Sequence, residues 1–217
     1  MLSSLDNFRF RATIGKGNNA KVVLVEQKAS TKLYAIKFLR KDYLAENDEA
    51  YRPIAEKDAL VKAREGQFPF IVRLESTFQT ESRLCFVLEY IKGGDLMFHL
   101  QERAFEEAEA KYAKVQRLTV LGGDKILIRC RFYAAEILLG LQFLHSNCIL
   151  YRNLQLDNVL LTERGHIKLA GFFYAKHGMS CTERTNTFCG SAEFMAPEVR
   201  LRRIPRPLFA PCWCSDT

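Results

Sequence analysis

The chain has 217 residues, 48% of them hydrophobic, enough to bury a core and fill one or two domains. Its net charge of +7 is scattered among interleaved acids, which argues against a nucleic-acid binder, and no apolar stretch reaches the length of a membrane span or a signal-peptide core. Seven cysteines, most of them alone in apolar surroundings, fit reduced thiols and a cytoplasmic address, with the nucleus as the alternative.

Residues 8–40 alternate in the manner of antiparallel strands, FRFRATIG, AKVVLVEQ and KLYAIKFL, separated by the turns KGNN and KASTK. The first turn runs Gly15, Lys16, Gly17, Asn18, Asn19, Ala20, Lys21, Val22. Glycines there let backbone N–H groups approach phosphate oxygens, although such a turn alone is more often a plain hairpin. A helix follows Pro53, with Ile54, Ala55, Ala59, Leu60 and Val61 as its expected apolar stripe. Glu56 lies on it and, in isolation, reads as a solvated acid beside Lys57. FPFIVRLESTFQT and SRLCFVLEY complete five antiparallel strands, and Gly93-Gly94 breaks the chain like a hinge.

Residues 102–118 are rich in Glu, Ala and Lys, good helix formers, and a turn at Gly122-Gly123-Asp124 is expected to end that segment. RFYAAEILLGLQFLH is a second helix. The stretch ILYRNLQLDNVLLTERGHIKLAGFF then gives a polar turn between apolar runs and a strand, turn, strand unit around Gly165. Pro205, Pro207 and Pro211 disfavour a continuous helix in the basic tail, and Cys212-Trp213-Cys214 is too isolated for a metal site.

These stretches together resemble the protein kinase catalytic domain. The glycine-rich hairpin is followed by Ala35-Ile36-Lys37; Arg152-Asn153-Leu154-Gln155 with Asn158 stands where the family has Arg-Asp-Leu-Lys-x-x-Asn; Gly171-Phe172-Phe173 stands at its Asp-Phe-Gly turn. Thr77-Phe78-Gln79-Thr80-Glu81-Ser82-Arg83-Leu84, Gly93-Gly94-Asp95-Leu96 and Thr187-Phe188-Cys189-Gly190-Ser191 are most similar to protein kinase C, in particular its atypical branch. The resemblance covers residues 8 to about 199. It implies an α+β fold: a kinase-like N-lobe over 1–92, a five-stranded antiparallel sheet with one helix, and an incomplete, mainly helical C-lobe over 93–199. An insertion interrupts that lobe at about 102–130, and an irregular basic tail at 200–217 has no counterpart to the family's closing helices.

The resemblance also implies roles. ATP would be held by Ile14, Gly15, Lys16, Gly17, Asn18, Asn19, Ala20, Lys21, Val22, Ala35, Lys37, Glu89, Ile91, Asp95 and Leu160, with Leu88 behind the adenine and Glu56 pairing Lys37. Leu60, Leu74, Tyr151 and Phe172 would form an apolar column. Asn158 and Gly171 fall at the metal-holding positions, and Thr187 at an activation-loop phosphosite served by Arg152 and Lys176.

At three of these positions the chemistry departs from the family. Asn153 replaces the general base, Gln155 the loop lysine, and Gly171 the principal metal carboxylate, so Mg²⁺ is expected to bind weakly or not at all. The expected function is a degenerate serine/threonine protein kinase domain that binds nucleotide at most. The alternatives are an active kinase with compensating residues, a scaffold that engages the protein partners of its relatives without nucleotide, and a non-functional truncated copy.

Overall fold

The computed structural model describes residues 4–17, 19–101, 123–179, 189 and 194. Asn18, the helix expected over 102–118, Thr187 and the basic tail lie outside them. The chain divides into two compact units, Met1–Tyr90 and Ile91–Thr217.

The first unit is a five-stranded antiparallel sheet of β1 (Phe8–Lys16), β2 (Ala20–Gln27), β3 (Leu33–Arg40), β4 (Leu74–Gln79) and β5 (Arg83–Glu89), in the order β1-β2-β3-β5-β4. Period-two alternation sets the register: Val23 faces Ile36 and Val25 faces Tyr34, while Ile36 faces Val87. Those residues, with Phe8 and Cys85, make one buried cluster, and Phe38 and Phe78 pack against it. Each such side chain contributes about 1.5–3 kcal/mol on leaving water.

Two helices accompany the sheet, α1 (Lys41–Glu46) and α2 (Arg52–Glu65). The first, of six residues, carries no side-chain cap and too little periodicity to be read beforehand. In α2 the buried residues are Arg52, Pro53, Glu56, Ala59, Leu60 and Ala63, and proline sits in the first turn, where its missing N–H costs nothing. The expected stripe is corrected at Ile54, which is 63% exposed. Two residues before Glu56 it lies about 200° round the helix, on the far side from the buried face.

The second unit opens with a helical segment, α3, over 96–101, followed by α4 (Gly123–Ser146). Gly123 and Asp124 thus begin a helix and do not form the expected turn; Gly and Asp are both favoured at helix starts. Short strands pair as β6 (Ile149–Leu150) with β9 (Lys176–His177), and β7 (Val159–Leu161) with β8 (Ile167–Leu169). Glu136 of α4 is buried, and its carboxylate accepts hydrogen bonds from His166 Nδ1 at 2.6 Å and from the Ile167 N–H at 2.8 Å. The helix is thereby tied to the β7–β8 hairpin. None of the described helices is long and apolar enough to cross a membrane.

Candidate functional site

In the first unit, the β1–β2 hairpin closes with Gly15 opposite Val22 and Lys16 opposite Lys21. The Gly17 N–H donates to the Ala20 carbonyl at 2.9 Å, and the Arg40 N–H to the Asn19 carbonyl at 3.2 Å. A shift in register between Thr13 and Gly15 places Ile14 at an irregularity, with its side chain 47% exposed. Among the described residues, a Cβ on Gly17 would meet only the Ala20 oxygen, at 3.8 Å, so Gly17 is open to approach.

One strand on, Lys37 and Ala35 are buried on β3, and Val22 is paired with Lys37 across the sheet. Lys37 Nζ donates to both carboxylate oxygens of Glu56, at 2.6 and 2.7 Å. The burial of both partners decides against the solvated reading of Glu56. At the end of β5, the Glu89 carboxylate accepts from the Arg73 N–H at 2.8 Å, and the Glu89 N–H donates to the Arg73 carbonyl at 3.0 Å, which fixes the strand end. Leu60 and Leu74 are buried in this unit.

In the second unit, a Cβ on Gly93 would lie 2.2 Å from the Leu161 carbonyl oxygen, a contact only glycine permits. The Leu161 N–H donates to the Gly94 carbonyl at 2.8 Å, and Asp95 bridges to Leu160, so the segment after Ile91 is docked on β7. Asp95 Oδ1 also accepts the Phe98 N–H at 2.8 Å and so caps α3, using one of its two oxygens.

The loop between β6 and β7 carries Asn153, Gln155 and Asn158. Tyr151 and Phe172 are both buried, with ring centroids 5.0 Å apart, and the Tyr151 hydroxyl donates to the Ala170 carbonyl. Arg152 takes a left-handed φ of 60° and donates through Nε to the Tyr174 carbonyl at 2.7 Å. Asn153 Nδ2 donates to the Gly171 carbonyl at 2.9 Å, and Asn158 Nδ2 to the Asn153 carbonyl at 2.9 Å. Both amides face carbonyl oxygens, which requires their nitrogens to point inward. Gly171 is left-handed, at φ 71° and ψ 43°, and a Cβ there would stand 2.3 Å from Asn158 Oδ1.

Asn153, Asn158 and Gly171 are therefore brought together, as are Lys37 and Glu56. Lys176 lies on β9, whereas Thr187 is outside the described residues. The ties from Asn153 to Gly171 and from Asn158 to Asn153 have one signal in the sequence, the amide at 153, which taken alone points only to a lost base.

The Protein kinase domain family matches residues 8–204. The chain belongs to that family. It is 46% identical over 195 residues to "Protein kinase C-like 1" of Candida albicans, and 46% identical over 197 residues to "Protein kinase C" of Aspergillus fumigatus. It is also 42% identical over 197 residues to "Protein kinase C-like 1B" of Caenorhabditis elegans. These alignments cover 90%, 91% and 90% of this chain but only 16%, 16% and 25% of the respective relatives. The chain thus spans about one-sixth to one-quarter of the length of these kinases. Kinase domains in general use ATP and Mg²⁺.

Proposed function

We propose that this chain is a degenerate serine/threonine protein kinase domain of the protein kinase C type, which binds nucleotide at most and transfers little or no phosphate. The observation that carries the reading is the trio Asn153, Asn158 and Gly171: two amides tied to backbone carbonyls, and a residue with no side chain.

The phosphate-holding parts fit ATP. Lys37, held by Glu56, supplies a cation, and the Gly15–Val22 hairpin supplies open backbone. A divalent cation is fitted less well. Mg²⁺ takes oxygens in a near-octahedral shell at about 2.0–2.1 Å and is normally held by one or two carboxylates plus phosphate oxygens. The trio offers neutral amide oxygens and no carboxylate, and Asn158 fills the space beside Gly171.

Transfer also requires a group to take the proton of the accepting hydroxyl. The Asn153 amide does not accept a proton at neutral pH, and its nitrogen is already engaged with Gly171. Loss of general-base assistance alone costs about 10²–10⁴ in rate. Gln155, in place of the loop lysine, removes a cation from the same segment.

Protein partners shared with protein kinase C-like relatives are proposed in preference to nucleic acid, because the charge is interleaved along the chain. A reducing cytoplasmic or nuclear compartment suits the four described cysteines, all free thiols. The test is thermal-shift titration with ATP, with and without Mg²⁺. A rise in Tm of equal size under both conditions supports the reading. A rise that requires Mg²⁺ contradicts the weak fit of the metal site, and no rise at millimolar ATP contradicts nucleotide binding and favours a scaffold.

A further inference from the structure

We propose that the Asn153–Asn158–Gly171 amide circuit replaces a divalent cation as the tie between the 152–158 loop and the 170–172 turn, so that this part of the fold is complete without metal. The inference deepens the proposed function and rests on its reading of these three positions.

Two hydrogen bonds join the two segments, and a third within the loop closes the unit. Asn153 Nδ2 reaches the Gly171 carbonyl at 2.9 Å, Asn158 Nδ2 reaches the Asn153 carbonyl at 2.9 Å, and the Ala170 N–H reaches the Asn158 carbonyl at 2.9 Å. The first bond demands an amide at 153. An ionised aspartate is acceptor-only and would set a negative oxygen against the Gly171 carbonyl, replacing attraction by repulsion. The second demands glycine at 171. Any Cβ there meets Asn158 Oδ1 at 2.3 Å and Cγ at 2.5 Å, so a side chain can enter only if Asn158 leaves and surrenders its bond to Asn153.

Seen singly, Asn153 is a lost base and Gly171 a lost ligand. Together with Asn158 they depend on one another, and reverting one residue breaks the tie without rebuilding a cation site. Asn153 is thus a positioning residue for the 170–172 turn.

Hydrogen exchange of the full 217-residue chain, followed by mass spectrometry on peptides spanning residues 153–172, tests this directly. Wild-type protection is expected to be the same in millimolar Mg²⁺ and in EDTA. Asn153→Asp is expected to speed exchange on the order of tenfold relative to wild type at neutral pH, the effect of losing one tie of this kind. Part of that deficit should vanish at about pH 4, near the ordinary aspartate value, where a protonated carboxyl regains an O–H donor. Asn153→Ala should lose protection with no such recovery, which separates the donor from simple packing. Gly171→Asp should loosen the same peptides and gain nothing from Mg²⁺.

The proposal is overturned if Mg²⁺ protects the wild-type segment, if Asn153→Asp exchanges at the wild-type rate, or if Gly171→Asp alone acquires Mg²⁺-dependent protection. Should the variants fail to fold, the wild-type comparison in Mg²⁺ and EDTA decides. Phosphate transfer by a wild-type chain whose protection ignores Mg²⁺ would sink the proposed function and leave the tie standing. Mg²⁺-dependent protection without transfer would sink the tie alone.

Discussion

Lys37 Nζ sits between the two carboxylate oxygens of Glu56, at 2.6 and 2.7 Å, with the side chains only 11% and 2% exposed. A pair so far from water stabilises little over an apolar pair of the same shape, but each member makes the other's burial tolerable. Lys37→Met strands the Glu56 carboxylate and is expected to cost about 3–5 kcal/mol, read as a lower urea midpoint at unchanged slope. Lys37→Arg, which keeps the charge, should cost much less. An equal loss from both would show that the ion pair is not what holds α2 to β3.

A second buried carboxylate makes a similar demand in the other unit. Glu136 takes the Ile167 N–H as well as His166 Nδ1, and Ile167 is fully buried. Glu136→Ala leaves that N–H without its acceptor, at a cost of about 1–3 kcal/mol. Glu136→Gln retains a side-chain oxygen and should recover part of it. Amide exchange at Ile167 is the local readout, and it should accelerate in the Ala variant before the midpoint of global unfolding.

His145 gives the pH dependence its sign. Burial pushes its imidazole below the usual value, because the charged form is the one penalised. As pH falls through the ordinary histidine value of about 6.5, the unfolded chain takes up a proton that the folded chain resists. The stability from neutral His145 is therefore full above that pH and lost as pH falls toward the folded value. Denaturation at about pH 7.5 and about pH 5.5 should show the decline, and His145→Gln should make the slope shallower. An unchanged slope in the variant would remove His145 from the account.

Cys85 lies in the β-sheet core with its thiol pushed up to about 11 by burial, whereas Cys130 and Cys148 are exposed. The thiolate is the reactive form, so iodoacetamide at about pH 8 should label Cys130 and Cys148 well before Cys85. The expectation that most cysteines lie in apolar surroundings thus holds for Cys85 and fails for the other two. Peptide mass mapping over time checks the order, and early labelling of Cys85 would mean that the sheet opens readily.

Much of the first unit was legible because period-two alternation and short polar turns translate directly into antiparallel strands. Glu56 shows where pattern alone stops: its sequence neighbours suggest solvent, and only its partner nineteen residues away on β3 makes it core. Ile54 shows the converse, an apolar residue on the outward side of a helix whose inward side includes Arg52 and Glu56. The start of α4 is ambiguous in the sequence because Gly-Asp serves equally as a turn and as a helix opening. At the candidate site, the residue types at 153, 158 and 171 were evident from motif spacing, but their mutual hydrogen bonds are not a property of spacing. They arise from a left-handed glycine and two amides turned inward by the carbonyls they meet.

The most direct test of the central claim is transfer of labelled γ-phosphate from ATP to a basic peptide by the purified 217-residue chain in Mg²⁺, set beside a mock preparation and the Lys37→Arg variant. The account predicts incorporation no greater than in those controls. Sustained turnover by the wild-type chain that the mock lacks and Lys37→Arg abolishes would contradict it.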